Sequence, residues 1–439
     1  MRRRGNRVLQ VCLNGRAVGL YTKQKNGAVS FEYSGDWLAW DNAIALSQSM
    51  PLQDKAYIGD LVSSYFENLL PDSELILKKI AERVGAEGRD AYSLLREIGR
   101  DCVGALQFLP LSAPIPDLAK PVGLPVSDKH IYTILMNLER APLGIERDGG
   151  FRISLAGAQE KAAFLRVKHS WFEPQGMTPT THIFKPAIGT IQWESGPVDM
   201  TDSVENEYYC LKLLEAFGLE TAQVDIHTFE ARKVLIVERF DRLTLDDGLI
   251  VRLPQEDMCQ ALGYPPSQKY QNMGGPTLVD ILQFLAASDV PLKDQITVFK
   301  SQILFWLIGA TDGHAKNFSL FLAPNNGFQL TPIYDVMSAQ MAFDAHQIRH
   351  KDFKLAMPLG HRKHYKIQKI HGRHFLETAI EAGLGQDFAH EAITDVRESF
   401  LAAFDAVLTG LPKEFPLHIH ESIKAAALRR LPLLGSAFA

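Results

Sequence analysis

The sequence predicts an α+β fold in three blocks: a β-rich N-terminal subdomain over residues 1–115, a strand-dominated lobe with one strong helix over 116–255, and an all-helical lobe over 256–439. Three observations carry this division. Residues 8–40 alternate polar and apolar side chains around Asn-Gly turns at 14–15 and 26–27 and a "SGD" turn, the pattern of hairpins. The stretch "LPLSAPIPDLAKPVGLP", with five prolines from Pro110 to Pro125, reads as a linker. Beyond residue 256 the apolar period changes from two to about 3.6, which is helical.

Each element follows in order. After the hairpins come helical stretches "DLVSSYFENLL" and "SELILKKIAERVG", the second with Asp72 or Ser73 as N-cap and Gly85 as its stop. The middle block has strand signals in "FRISL", "KAAFLRV", "THIFKP", "VDIHTF" and "KVLIVERF". Its helix is expected from Ser203 to Phe217, with Asp202 and Glu205 at capping-box spacing and Gly218 beyond the end. Helices of the last block are expected at "LVDILQFLAA", "QITVFKSQILFWLIGA", "HEAITDVRESFLAAFDAVL" and "ESIKAAALRRL".

Composition limits the function classes. With 46% hydrophobic and 22% charged residues in 439, the chain has material for two to four ordinary globular domains. A formal net charge of -5 argues against blanket nucleic-acid binding and leaves room for a local basic patch. "MRRRG" opens like an export signal, but Asn14, Gly15 and Arg16 interrupt the apolar segment such a signal needs. The longest greasy run, Ile303 to Ala310, is far short of the about 20 residues of a membrane span. Cys12, Cys102, Cys210 and Cys259 form no CxxC pair, which suits small core residues in a reducing cytoplasm and offers no zinc site.

The chemistry-bearing stretch is "WLIGATDGHAKNFSLFL", Trp306 to Leu322, where a greasy run breaks into polar residues and resumes. Burying such groups without partners costs about 2–7 kcal/mol each, so the interruption needs a purpose. Asp312 and Asn317 stand five apart, the D-x-x-x-x-N spacing of a protein-kinase catalytic loop, where Asp serves the acceptor hydroxyl and Asn holds magnesium. Asp335 in "LTPIYDVMS" follows a strand-like run, where kinases keep their second metal-binding Asp, although the triplet here is Tyr-Asp-Val. Lys185 in "THIFKP" is placed to hold nucleotide phosphates, and Glu207 on the following helix can pair with it. "ISLAGAQEK", Ile153 to Lys161, is a turn of small residues able to cover phosphates, and "VERFD", Val237 to Asp241, lies where a hinge would meet adenine. These parts occur in kinase order, which predicts a kinase-like two-lobed core. Singly, Asp312 and Asn317 also read as a buried turn acid and a cap, Lys185 as a snorkelling strand-end lysine, Glu207 as a solvated helix residue, His314 as a structural hydrogen-bonder and Ser154 as a loop serine bonding its own backbone.

"ISLAGAQEK", "TPTTHIFK", "NEYYCLKL", "VERFDR", "LPQEDMCQ" and "LIGATDGHAKNFS", with "FENLLPDSE" and "LREIGRDCVGALQFLP" in the first block, closely resemble the HipA family. The resemblance implies a bacterial, ATP- and Mg2+-dependent serine/threonine kinase acting as the toxin of a type II toxin-antitoxin pair. It further implies that glutamyl-tRNA synthetase is phosphorylated, that translation stops and drug-tolerant dormancy follows, and that a small helix-turn-helix antitoxin, HipB, binds the toxin and operator DNA. Carried over by motif, Asp312 corresponds to the catalytic base, Asn317 and Asp335 to the magnesium ligands, and Lys185 to the phosphate-contacting lysine. Ala156, Gly157, Ala158, Gln159, Glu160 and Lys161, then Glu238, Arg239 and Phe240, then His314, Ala315, Lys316, Asn317, Tyr334 and Asp335 correspond to nucleotide-contacting segments. Ser154 corresponds to the serine that is autophosphorylated to silence the enzyme. The C-terminal helices resemble the family less and offer no counterpart to its DNA-contacting basic residues. The dense basic run His361 to His374, with Arg362, Lys363, Lys366, Lys369 and Arg373, reads either as a solvated face or as a phosphate-contacting surface that could touch DNA. The competing functional class is a non-catalytic kinase-fold module serving as DNA corepressor.

Overall fold

The computed structural model describes residues 7–115, 120–145, 153–157, 159–193 and 196–438. The N-terminal alternation becomes a five-stranded antiparallel sheet of β1 (Arg7–Leu13), β2 (Arg16–Lys23), β3 (Val29–Tyr33), β4 (Tyr57–Ile58) and β5 (Leu106–Pro110), in the order β4-β3-β2-β1-β5. Asn14-Gly15 closes the first hairpin, both residues having the positive φ that a tight hairpin turn requires. The "SGD" stretch is no hairpin turn. Ser34 instead caps a short helix, Gly35–Leu38, by accepting the Trp37 N–H. Three helices, Asp60–Glu67, Glu74–Val84 and Ala91–Ile98, close the core with the sheet around Tyr21, Phe31, Phe66 and Phe108. Tyr21 and Phe66 stack with centroids 4.0 Å apart. Of the two candidate caps, Ser73 accepts the Ile76 N–H, and Gly85 ends that helix in the left-handed conformation.

The proline-rich stretch is only partly a linker, for Gly123–Pro125 forms an edge strand, β6, where a missing N–H costs no ladder bond. With β7 (Ala162–Val167), β8 (Ser170–Pro174), β9 (His182–Pro186), β12 (Val224–Phe229) and β13 (Arg232–Glu238) it makes a six-stranded sheet ordered β12-β13-β9-β7-β8-β6; β10 (Gly189–Trp193) and β11 (Gly196–Met200) form a separate hairpin. The strand expected at "FRISL" is absent among its described residues. Ile153 makes only an isolated bridge to Asp101, and Phe151 and Arg152 lie outside the described residues. The helix Ser203–Ala216 starts as expected, but Asp202 does not cap it. That carboxylate lies 2.9 Å from His418 Nε2, and Glu205 pairs with Lys233 on β13, so tertiary partners displace the local capping box.

The last block is built on the helix Pro291–Ile308, thirteen of whose eighteen residues are buried. The C-terminal part of this helix, residues 303–308, is apolar on all sides and belongs inside, and Gly385–Gly410 and Leu417–Arg430 pack against the helix. Its interior ammonium, Lys300 Nζ, bonds the Phe217 carbonyl at 2.5 Å and pairs with Asp395. The lobe is mainly but not wholly helical, because a three-stranded sheet of Gln255–Asp257, Ser319–Leu322 and Phe328–Leu330 holds the polar interruption between the two lobes and Lys354–Leu359 pairs with His364–Lys366. Among the described residues no helix is long and apolar enough to cross a membrane. The four cysteines are free and buried.

A buried ionic cluster joins the first block to the second. Asp101 accepts from Arg252 Nε at 3.0 Å and Arg242 at 2.9 Å, lies 3.3 Å from Arg239, and is bonded by the Thr180 N–H and hydroxyl. Asp241 takes Arg239 at 2.8 Å and the Gly104 N–H at 2.7 Å. All five charged side chains are buried, which is tolerable only because each is paired and hydrogen-bonded.

Candidate active site

The long helix stops at Gly309, and the chain then turns across the cleft between strand lobe and helical lobe. At Gly313 a Cβ would sit 2.5 Å from Phe305 Cδ2, so only glycine lets the loop lie this close to the core. That approach leaves Asp312 exposed at the rim, its Oδ1 accepting the Tyr270 hydroxyl at 2.7 Å. His314 is buried, its N–H donating to Asn317 Oδ1 at 3.1 Å while its own Nδ1 has no partner among the described residues. Ala315 is buried in the helical-lobe core, beneath the loop that carries its neighbours.

Asp335 adopts φ +59°, the left-handed region an aspartate can tolerate but rarely takes. This turns its carboxylate to two partners. Oδ1 accepts Lys185 Nζ at 2.8 Å, and Oδ2 faces Asn317 Nδ2 at 3.4 Å. Lys185, on β9, also donates to Glu207 Oε1 at 2.7 Å, which identifies the helix glutamate as its partner. Burial would raise the Asp335 pKa, yet the Lys185 and Lys161 ammonium groups outweigh it and hold the carboxyl well below its usual range. Burial dominates at Glu207, whose pKa stays raised despite Lys185.

The small-residue turn covers the same cleft from above. Lys161 Nζ donates to the Ala156 carbonyl at 2.6 Å, and burial followed by Lys185 lowers its pKa to about 8. Gly157 has φ +102° and a Cβ there would meet that Nζ at 2.7 Å. Gln159 Nε2 ties the turn to the Pro186 carbonyl at 3.0 Å, Glu160 is exposed, and Ala158 lies outside the described residues. Ser154, just before the turn, is fully buried and donates to the Leu69 carbonyl at 2.7 Å.

At the expected hinge, Glu238 and Phe240 line the cleft, the Phe240 ring packing 5.6 Å from Tyr334. The Arg239 side chain turns away into the Asp101 cluster, so any contribution to a nucleotide falls to its backbone. The Tyr334 hydroxyl bonds the Lys316 carbonyl at 2.7 Å and Ser319 at 2.6 Å. The enclosed volume is about 860 Å³, ample for a nucleotide.

Several site residues escaped sequence reasoning. Asn68 and Asp72, from the N-terminal block, reach Lys316 Nζ at 2.9 and 3.1 Å, and Asp72 also takes Lys269 at 2.8 Å. The Asp72 N–H donates to the Gly157 carbonyl at 3.3 Å, so the first block braces both the small-residue turn and the loop that carries Lys316. Asp72 had a signal only as a helix cap, and Tyr270 had none. The basic run lies beside the cleft, with Lys363, Lys366 and Lys369 lining an adjoining hollow and all five of Arg362, Lys363, Lys366, Lys369 and Arg373 exposed.

A mixed lobe over a helical lobe, with the lysine, helix glutamate and two loop acids meeting in the cleft, places this chain in the protein-kinase class of folds. The chain belongs to the HipA family: residues 9–109 match the HipA N-terminal domain and residues 153–404 the HipA-like C-terminal domain. The "Putative kinase Y4mE" of Sinorhizobium fredii is 33% identical over 409 residues, 92% of each chain. The serine/threonine-protein kinase toxin HipA of Shewanella oneidensis is 31% identical over 327 residues, 72% of this chain and 71% of that one. The solved Shewanella oneidensis MR-1 complex of HipA, HipB and operator DNA is similar at TM-score 0.81, covering 98% of this chain and 99% of that one at 24% identity, a likeness of fold.

Proposed function

We propose that this chain is a serine/threonine protein kinase that transfers the γ-phosphoryl of ATP, and the toxin of a toxin-antitoxin pair. The observation that carries the reading is the Lys185 bridge, 2.7 Å from Glu207 and 2.8 Å from Asp335, formed beside an exposed Asp312. Lys185 is thereby aimed at phosphate oxygens, while Asp312 stands where a protein hydroxyl can reach it. Asn317 and Asp335 suit Mg2+: one carboxylate and one amide oxygen leave most positions to phosphate and water, as that ion prefers. The ion would neutralise charge on the β- and γ-phosphates. An intact set of these groups supports an enzyme over a non-catalytic corepressor module. Family membership supports a HipB-like antitoxin and, through it, operator DNA as partners, glutamyl-tRNA synthetase as substrate, persistence as outcome and the cytoplasm as location. Incubation with Mg-ATP and a bacterial lysate, followed by phosphosite mapping, tests the activity; no phosphorylation of any protein beyond the untreated level would refute it.

Replacing Lys185 by Met should cut Mg-ATP affinity and leave Glu207 as an unpaired buried carboxylate, at about 3–5 kcal/mol of stability. Calorimetric titration and thermal melting read the two effects separately. Phosphorylation of Ser154 should act as a silencing switch. Its hydroxyl is buried against Leu69, so the segment must leave its seat to be modified, and a group carrying about -1.5 to -2 charges cannot return there. The Gly157 carbonyl then loses Asp72, and the phosphate cover is lost with Asp312 untouched. Protein fully phosphorylated at Ser154 should bind Mg-ATP poorly yet melt as a folded chain; equal ATP affinity with and without the phosphate removes the switch.

A further inference from the structure

Beside the catalytic cleft lies a second hollow of about 450 Å³, walled by Lys351, Lys354, Lys363, Lys366 and Lys369. All five lysines are exposed, and none has an ion-pair partner among the described residues. Lys354 and Lys366 stand directly opposite one another in an antiparallel pair, an arrangement like charges disfavour. The neighbouring Asp352 offers no relief, being engaged by Arg349 at 2.5 Å. In a chain of formal net charge -5, this is an uncompensated cationic concavity. It is also continuous with the cleft, because Asn272, Lys354 and Tyr365 line both, and Asn272 is two residues from the Tyr270 that bonds Asp312.

We propose that this groove docks an acidic segment of the protein substrate and thereby selects which hydroxyls reach Asp312. The proposal rests on the kinase reading and adds a substrate class to it. A groove opening into the cleft requires an occupant that passes from one to the other, which an extended peptide carrying both carboxylates and a serine can do. Among the described residues its walls hold lysines and no arginine, giving point charges that attract carboxylates without the bidentate fork used to read bases. A small concavity favours a peptide over a duplex, whose phosphates are met along a broad surface.

The test uses the full chain and fluorescein-labelled peptides holding one serine beside a run of glutamates, with glutamines or lysines replacing them in controls. By fluorescence anisotropy the acidic peptide should bind about 10-fold or more tightly than the glutamine peptide, with the preference shrinking as salt rises. The K363E/K366E/K369E variant should lose that preference and favour the lysine peptide, while calorimetry shows its Mg-ATP affinity unchanged. Equal binding of acidic and neutral peptides by the unaltered protein overturns the proposal, whether or not the variant folds. So does displacement of the acidic peptide by a short DNA duplex at equal concentration, which would make the groove a nucleic-acid surface. Failure of the kinase reading looks different: the acidic peptide binds, and Mg-ATP yields no phosphoserine on it or on any lysate protein.

Discussion

Substitution of Asp312 by Gln should lower phosphoryl transfer by about 10²- to 10⁴-fold, the range lost when a positioned general base is removed, while Mg-ATP affinity stays close to that of the unaltered protein. Asp312 is exposed, bonded to Tyr270 through Oδ1, and among the described residues has no hydrogen bond or ion pair with Lys185, Glu207 or Asp335, which suits the proposed role at the acceptor hydroxyl. Asp335→Ala should show the opposite division. Asp335 neutralises Lys185 and faces Asn317, so its loss should weaken Mg-ATP binding itself by an order of magnitude or so as well as slowing transfer. Rapid-quench transfer assays paired with ATP calorimetry separate the two. Full transfer by either variant would falsify the assignment of these acids.

The second large effect is on stability. Asp101→Ala removes the shared acceptor of Arg239, Arg242 and Arg252, leaving the first two with Asp241 and the buried Arg252 guanidinium without a carboxylate partner among the described residues. Breaking a buried pair from one side costs about 3–5 kcal/mol, a large share of the stability of any domain. Denaturant unfolding should show the loss, and a variant within 1 kcal/mol or so of the parent would deny the cluster its role. The same carboxylate predicts an acid dependence. Burial would raise its pKa, but Arg242, Arg252 and Arg239 hold it far below the usual carboxylate range. A folded-state pKa depressed in this way contributes stability that is complete above the unfolded-state value and is lost as pH falls below it. Stability should therefore drop between about pH 5 and pH 2, and Asp101→Asn should flatten that fall.

Much of the molecule follows from local patterning. The Asn-Gly turn, the Ser73 cap and Gly85 stop, the β9, β12 and β13 strands, and the buried Pro291–Ile308 helix all depend on neighbours within a few residues, so periodicity and turn chemistry suffice to place them. The kinase-order spacing likewise nominates Lys185, Asp312, Asn317 and Asp335, which the fold brings to one cleft. Tertiary structure decided everything that depended on distant partners. Asp202 is drawn from its helix to His418, and Glu205 to Lys233, because a charge-assisted pair outcompetes an exposed cap. Arg239, in the expected hinge, is claimed by an aspartate 138 residues away. Asp72 and Asn68 reach Lys316 from the first block, and the Tyr270 hydroxyl finds Asp312 across 42 residues. The family resemblance nominates Ser154 as a phosphorylation site, whereas only the fold shows its hydroxyl sealed against the Leu69 carbonyl, so that the proposed modification would require the segment to leave its seat. The reason is one of range: propensity and capping act over a turn or two, and buried charges take whichever partner packing brings near.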